Sequence, residues 1–175
     1  AGSNKSEYSP LAPILNKAGF ATLAIDQRSG GNLFGGINET AAGVAGTPSY
    51  ADTLPDLEAA IAYGCTRTSG PLAAWGSSYS SALVFIAAER HPEVKALLAF
   101  SPAEYIKGYS IEKEAARLTI PVFITSSPDS DEVQGAGPQS SPIHSGNWSS
   151  WILDIAGRRG SSWRGRKLEA RHVIS

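Results

Sequence analysis

The most specific chemical suggestion in the chain is the stretch AWGSSYSSAL, residues 74–83. It follows the serine-nucleophile turn G-x-S-x-G, with Gly76 first, Ser78 at the centre, and Ser80 where the second glycine would stand. Such a turn needs a strand to hold it, a tight reversal that lifts the hydroxyl, and a helix whose first amides face a developing oxyanion. The apolar run LAAW (72–75) reads as the strand and SSALVFIAAE (80–89) as the helix, while Gly76 leaves room where the backbone doubles back. The N–H of Tyr79, directly after the nucleophile, is the oxyanion donor this arrangement provides. The competing reading is that Ser77 or Ser78 only caps the following helix.

A seryl oxygen is a poor nucleophile until a base takes its proton, and that base must be oriented by an acceptor. The chain has three histidines. His91 precedes Pro92 at the far end of the helix that starts after Ser78, on the wrong side of a sheet, and His172 sits in a basic tail. His144, in SSPIHSGNW, is the candidate base. The acid should follow a later strand, and FITSSPDSDE offers Asp129 and Asp131 there. Asp129 lies nearer the strand end; both stay open, and each reads equally well as a solvated loop aspartate.

Other chemistries find little support. The histidines are scattered away from any acidic cluster, which argues against a metal site. Neither a G-x-G-x-x-G after a strand nor a G-K-S/T occurs, so Gly30-Gly31 and Gly35-Gly36 are not read as a phosphate cradle. The single cysteine, Cys65, excludes an internal disulfide framework and reads as a small buried hydrophobe near a helix end. No cofactor is implied.

The elements that must position these residues follow from hydrophobic spacing. SPLAPILNKA (9–18) has a cap serine, proline in its first turn, and Leu11, Ile14, Leu15 and Ala18 at helical spacing before Gly19. FATLAI (20–25), ending on Asp26, reads as a buried strand, and residues 27–49 as a long functional loop with Leu33 and Phe34 as apolar candidates for a substrate pocket. Residues 50–63 form a helix with Leu54, Leu57, Ala60 and Ile61 on one face. VKALLAF (94–100) and IPVFIT (120–125) are strands around a short helix at 110–118. Apolar strands that barely alternate, separated by helices, predict an α/β fold with a mostly parallel sheet flanked by helices. Ligands of such sheets sit beyond the carboxyl ends of the strands, so Asp26, Ser78, Ser101 and the 126–133 loop should share one edge.

With 175 residues and a formal net charge of −1, the chain suits one domain and carries no whole-chain signal for nucleic acid or an anionic membrane. Its apolar runs are too short for a membrane span and its first residues do not read as a signal peptide; the compartment stays open, with a slight lean to cytoplasmic. The expected organisation is a single domain over 1–157 and a basic, disordered tail over 158–175. That tail holds Arg158, Arg159, Arg164, Arg166, Lys167 and Arg171 against Glu169, with Trp163 as the one stacking group a nucleic-acid reading could use. No nucleic-acid partner is expected.

Three blocks carry a family resemblance. AGFATLAIDQRSGG, AAWGSSYSSALVFIAAERHPEVKALLAFSP and LTIPVFITSSPDSDEV resemble, in order and spacing, the α/β-hydrolases of the dienelactone-hydrolase-like and serine-peptidase-like group. The resemblance covers residues 1 to about 133. It implies Ser78 as nucleophile, Asp129 or Asp131 as acid, His144 as base and the Tyr79 amide as half of an oxyanion hole. The family has strands ahead of this point, so the resemblance implies that they are lacking here and that the second oxyanion donor is Ala1, Gly2 or a residue outside the sequence. The C-terminus departs from the family pattern. The resulting expectation is a serine hydrolase acting on a small-molecule ester or similar acyl bond; the alternative is a non-catalytic fragment or binding module of the same fold. Oligomeric state is left open.

Overall fold

A computed structural model describes residues 2–125 of the chain. Asp129, Asp131, His144, the boundary at residue 157 and the basic segment 158–175 lie outside the described residues.

Three strands form one parallel sheet in the order β1-β2-β3: β1 is Leu72–Ser77, β2 Val94–Phe100 and β3 Val122–Thr125. The register sets Ala74 beside Leu97, Gly76 beside Ala99, and Leu97 beside Val122. Because side chains alternate along a strand, these residues share one face of the sheet. Trp75, Leu98 and Phe123 fall on the other face, where the Trp75 ring stacks on Phe100 with centroids 4.7 Å apart and Tyr8 meets Trp75 edge-on at 6.2 Å. Burial in that aromatic group pushes the Tyr8 phenol up to about 12.

Among the described residues there are five α-helices: α1 (Ala12–Lys17), α2 (Glu39–Ala42), α3 (Leu54–Arg67), α4 (Tyr79–Arg90) and α5 (Ile111–Arg117). The core is built on α4. Every residue from Ser81 to Ala88 is buried, because α4 lies on β1 and β2 and is flanked by α3 and α5. A helix apolar on all sides belongs in such an interior. In α3, Leu54 and Ile61 are buried seven residues apart, two helical turns along one face, as the sequence pattern predicts.

Two expectations are corrected. Residues 20–25 form no strand: the run pairs with no neighbour among the described residues, and Leu23 is 53% exposed. A cavity of about 440 Å³ has Leu23, Ala24 and Ile25 on one side and Ala59, Ala60 and Tyr63 of α3 on the other. Cys65 lies near the end of α3 as expected but is exposed rather than buried.

The 27–49 segment is more ordered than a plain loop. It contains a 3-10 turn at Leu33–Gly35 as well as α2. The buried Asn4 side chain donates from Nδ2 to the carbonyls of Gly31, Leu33 and Gly36 at 2.9–3.1 Å. Gly30 has no room for a side chain, since a Cβ there would lie 2.5 Å from Asn38 Nδ2 and closer still to the Ser3 carbonyl. Gly31 is packed as tightly, since a Cβ there would lie 2.7 Å from the Gly2 carbonyl oxygen. Among the described residues no helix is long and apolar enough to cross a membrane.

Candidate functional site

Ser78 stands between the last residue of β1 and the first of α4, at φ 55° and ψ −130°. A side-chain-bearing residue rarely adopts this backbone conformation, which costs on the order of 1–3 kcal/mol unless the surroundings impose it. The surroundings do. The Ser78 N–H donates to the Phe100 carbonyl at the end of β2 (2.9 Å), and its own carbonyl accepts from Ser81 N–H (2.9 Å) and Ser81 Oγ (2.5 Å). Gly76 lets the chain double back: a Cβ there would overlap the Ser80 carbonyl and come within 2.7 Å of Ser81 N.

Ser78 occupies the N-cap position of α4 but makes no side-chain capping bond to it, so its hydroxyl does not serve as a cap. Tyr79 opens the helix, and its N–H is one of those at a helix start that no intrahelical carbonyl accepts. The serine hydroxyl and this amide are thus adjacent at the carboxyl end of β1. Ser101 follows β2 at the same edge, with its N–H donating to the Thr125 carbonyl at the end of β3 (2.7 Å). Gly2 packs against the 31–33 segment, its carbonyl accepting from Leu33 N–H (3.0 Å); Ala1 lies outside the described residues. Leu33 and Phe34 are 56% and 63% exposed.

The segment Asp26–Ser29 reaches this edge although no strand precedes it. All four of its side chains tie it to other parts of the chain, two of them to Tyr79. Asp26, buried, accepts from Lys5 N–H (2.9 Å), the Lys5 ammonium (3.0 Å) and Glu39 N–H (3.0 Å). Arg28 holds Asp56 of α3 through Nε and Nη2, the shortest bond being 2.6 Å, and its N–H donates to the same carboxylate at 2.8 Å. Gln27 Oε1 accepts from Tyr79 OH (2.7 Å) and Ser80 Oγ (2.8 Å). Ser29 Oγ lies 2.6 Å from Thr53 Oγ1 and 3.2 Å from Tyr79 OH. The Tyr79 ring stacks on Tyr50 with centroids 4.2 Å apart, and burial raises its phenol above the ordinary range. Sequence reasoning did not single out Gln27 or Ser29. The available signal was a run of four polar residues, DQRS, directly after an apolar run.

Asp26 yields a pH prediction. Burial alone would raise its carboxyl, but the bonds from Lys5 and Glu39 outweigh that and hold it below its ordinary 3.8. A depressed acid contributes stability that is complete above the ordinary value and lost as pH falls through the folded one. Asp26→Asn should therefore be about 2 kcal/mol less stable than the native chain at neutral pH. The gap should close as pH is lowered below about 4, read by urea unfolding at stepped pH.

A larger cavity, about 720 Å³, opens at the opposite end of the sheet, among Cys65, Leu72, Glu93, Lys95 and Pro121. Among the described residues no group of acids, histidines and cysteine is arranged to hold a metal.

A parallel sheet with helices packed around it, and a serine raised at the strand-to-helix turn, define an α/β-hydrolase-like fold. The chain belongs to the serine aminopeptidase S33 family, whose profile matches residues 1–146. No curated protein and no solved structure matches it.

Proposed function

We propose that the chain is a serine hydrolase that cleaves an ester or similar acyl bond through Ser78, with His144 as base and Asp129 or Asp131 as the acid orienting it. One observation carries this reading: Ser78 is held in a strained backbone conformation at the strand-to-helix turn, with a hydroxyl that does not cap the helix. Ser78 is half-buried, and strain kept at a polar residue of this turn, rather than relieved by glycine, is what a nucleophile lifted toward substrate requires. The family match spans Ser78, both aspartates and His144, which supports the same assignment. The blocks quoted above support the dienelactone-hydrolase-like and serine-peptidase-like group as the closer affiliation, and with it a small-molecule ester or acyl substrate.

In the reaction, Ser78 Oγ bonds to the carbonyl carbon as its proton passes to the imidazole of His144. The carbonyl π pair moves onto oxygen, where the Tyr79 N–H donates to it. Collapse of this intermediate breaks the acyl bond, and the leaving alcohol takes the proton from His144. Water then repeats the sequence on the acyl-enzyme and frees Ser78. No cofactor enters.

The test is covalent labelling with a fluorophosphonate, with turnover of a nitrophenyl ester and an aminoacyl anilide measured side by side. The native chain should label and Ser78→Ala should not; His144→Ala should lose turnover, and only one of Asp129→Asn and Asp131→Asn should match that loss. Labelling that survives Ser78→Ala refutes the nucleophile. A native chain that never labels leaves the non-catalytic module. Preference for the anilide moves the substrate class from ester to peptide.

A further inference from the structure

We infer that Gln27 is a positioning residue for the nucleophile turn, and that Ser80, in place of the motif's second glycine, is half of the brace it forms. This rests on the reading of Ser78 as nucleophile. The geometry is specific. Gln27 Oε1 receives two hydrogen bonds, from Tyr79 OH at 2.7 Å and Ser80 Oγ at 2.8 Å, and an amide oxygen has two lone pairs to offer. The donors are the first two residues of α4, which point in different directions around the helix axis. One acceptor holding both opposes rotation of that first turn.

The brace has a firm base. The Gln27 carbonyl accepts from Asn38 Nδ2 and Gly30 N–H, each at 2.8 Å, and its neighbours Asp26 and Arg28 are both in ion pairs. On the other side, Tyr79 is held by the Tyr50 stack and by Ser29, which is itself bonded to Thr53.

The direction of the Tyr79 N–H depends on the torsions that flank the Ser78–Tyr79 peptide, and one of them is the strained Ser78 ψ. If the first turn of α4 could rotate, that strain would relax and carry the amide away from the oxyanion position. Gln27 opposes this relaxation. Gly76 is the glycine that the turn requires on steric grounds; the second motif position admits a Cβ, and here its hydroxyl is put to use.

The experiment compares Gln27→Ala, Gln27→Glu, Ser80→Ala and the Gln27→Ala/Ser80→Ala double variant in ester turnover, fluorophosphonate labelling rate and thermal unfolding. Gln27→Ala should lower kcat about tenfold with KM within about twofold, the pattern of an interaction that counts in the transition state. Gln27→Glu keeps an acceptor oxygen at the same reach and should recover to within about twofold of the native rate. Ser80→Ala should cost about threefold alone and little further in the Gln27→Ala background, because both changes cut one brace. Unchanged kcat in Gln27→Ala overturns the inference, as does a Gln27→Glu as slow as Gln27→Ala, or a change confined to KM. If Gln27→Ala does not fold, Ser80→Ala and Tyr79→Phe read the two arms of the brace separately, and native rates in both overturn it. A native chain that labels while the variants are indifferent removes only the brace; a native chain that does not label removes the nucleophile and the brace together.

Discussion

Gly76→Ala is expected to cost about 3 kcal/mol or more of stability, near the upper end for single substitutions. In whatever fraction still folds it should lower the rate of Ser78 labelling by about a hundredfold or more. The added Cβ would overlap the Ser80 carbonyl and lie 2.7 Å from Ser81 N. Both are backbone atoms, so no rotamer change relieves the clash. Relief requires either that the start of α4 moves away from β1 or that the turn opens. Moving α4 disturbs Leu83, Val84, Phe85 and Ile86, all buried to within a few per cent. Opening the turn releases the Ser78 backbone from Phe100 and Ser81. Gly64 supplies the control: it lies in the helical stretch of α3, where a Cβ would meet Leu72 at an ordinary 3.5 Å. Gly64→Ala should therefore be neutral or stabilising by up to about 1 kcal/mol. Chemical denaturation of both variants, with labelling rates, separates a steric requirement from a generic intolerance of glycine loss. A Gly76→Ala chain as stable and as reactive as the native one would mean that the turn is not built as described.

How much of this was legible in the sequence depends on how local each feature is. The strand at 94–100 matches β2 end to end, since a continuous apolar run between turn residues is itself the signature of a doubly covered strand. The strand expected at 72–75 continues through Gly76 and Ser77, because the ladder with β2 runs on past the apolar residues. Residues 20–25 have the same composition and are not a strand. Apolarity states a preference for burial, but strand formation needs a paired neighbour, and none of the described residues supplies one there. Cys65 failed for a related reason: a helix end near the surface can place a small apolar residue outward at little cost. The strand-to-helix turn at Ser78 and Tyr79 was legible because such a turn is defined by a few consecutive residues. Gln27 was not, since it acts across 52 and 53 positions of chain on Tyr79 and Ser80, and a single polar residue in a loop has no period to betray it.

Ser78 offers a second large effect, in which stability and activity should move in opposite directions. Both Ser78→Ala and Ser78→Gly remove the oxygen proposed as the nucleophile, and on that proposal each should lower ester turnover by about ten-thousandfold or more. Their stabilities should differ. Alanine keeps a Cβ at φ 55°, ψ −130°, so it keeps the strain, and the lost hydroxyl made no capping bond to α4. Ser78→Ala should therefore fall within about 0.5 kcal/mol of the native chain. Glycine removes the Cβ and with it a strain of about 1–3 kcal/mol, against about 0.5–1 kcal/mol for the added freedom of the unfolded backbone. Ser78→Gly should be the more stable of the two by about 1 kcal/mol, read as a higher urea midpoint at unchanged slope. A Ser78→Gly chain less stable than Ser78→Ala would show that no strain is stored at this turn, and would remove the observation on which the nucleophile assignment rests. The reverse order would mean that the fold gives up stability at Ser78, in the strand-to-helix turn that ends β1.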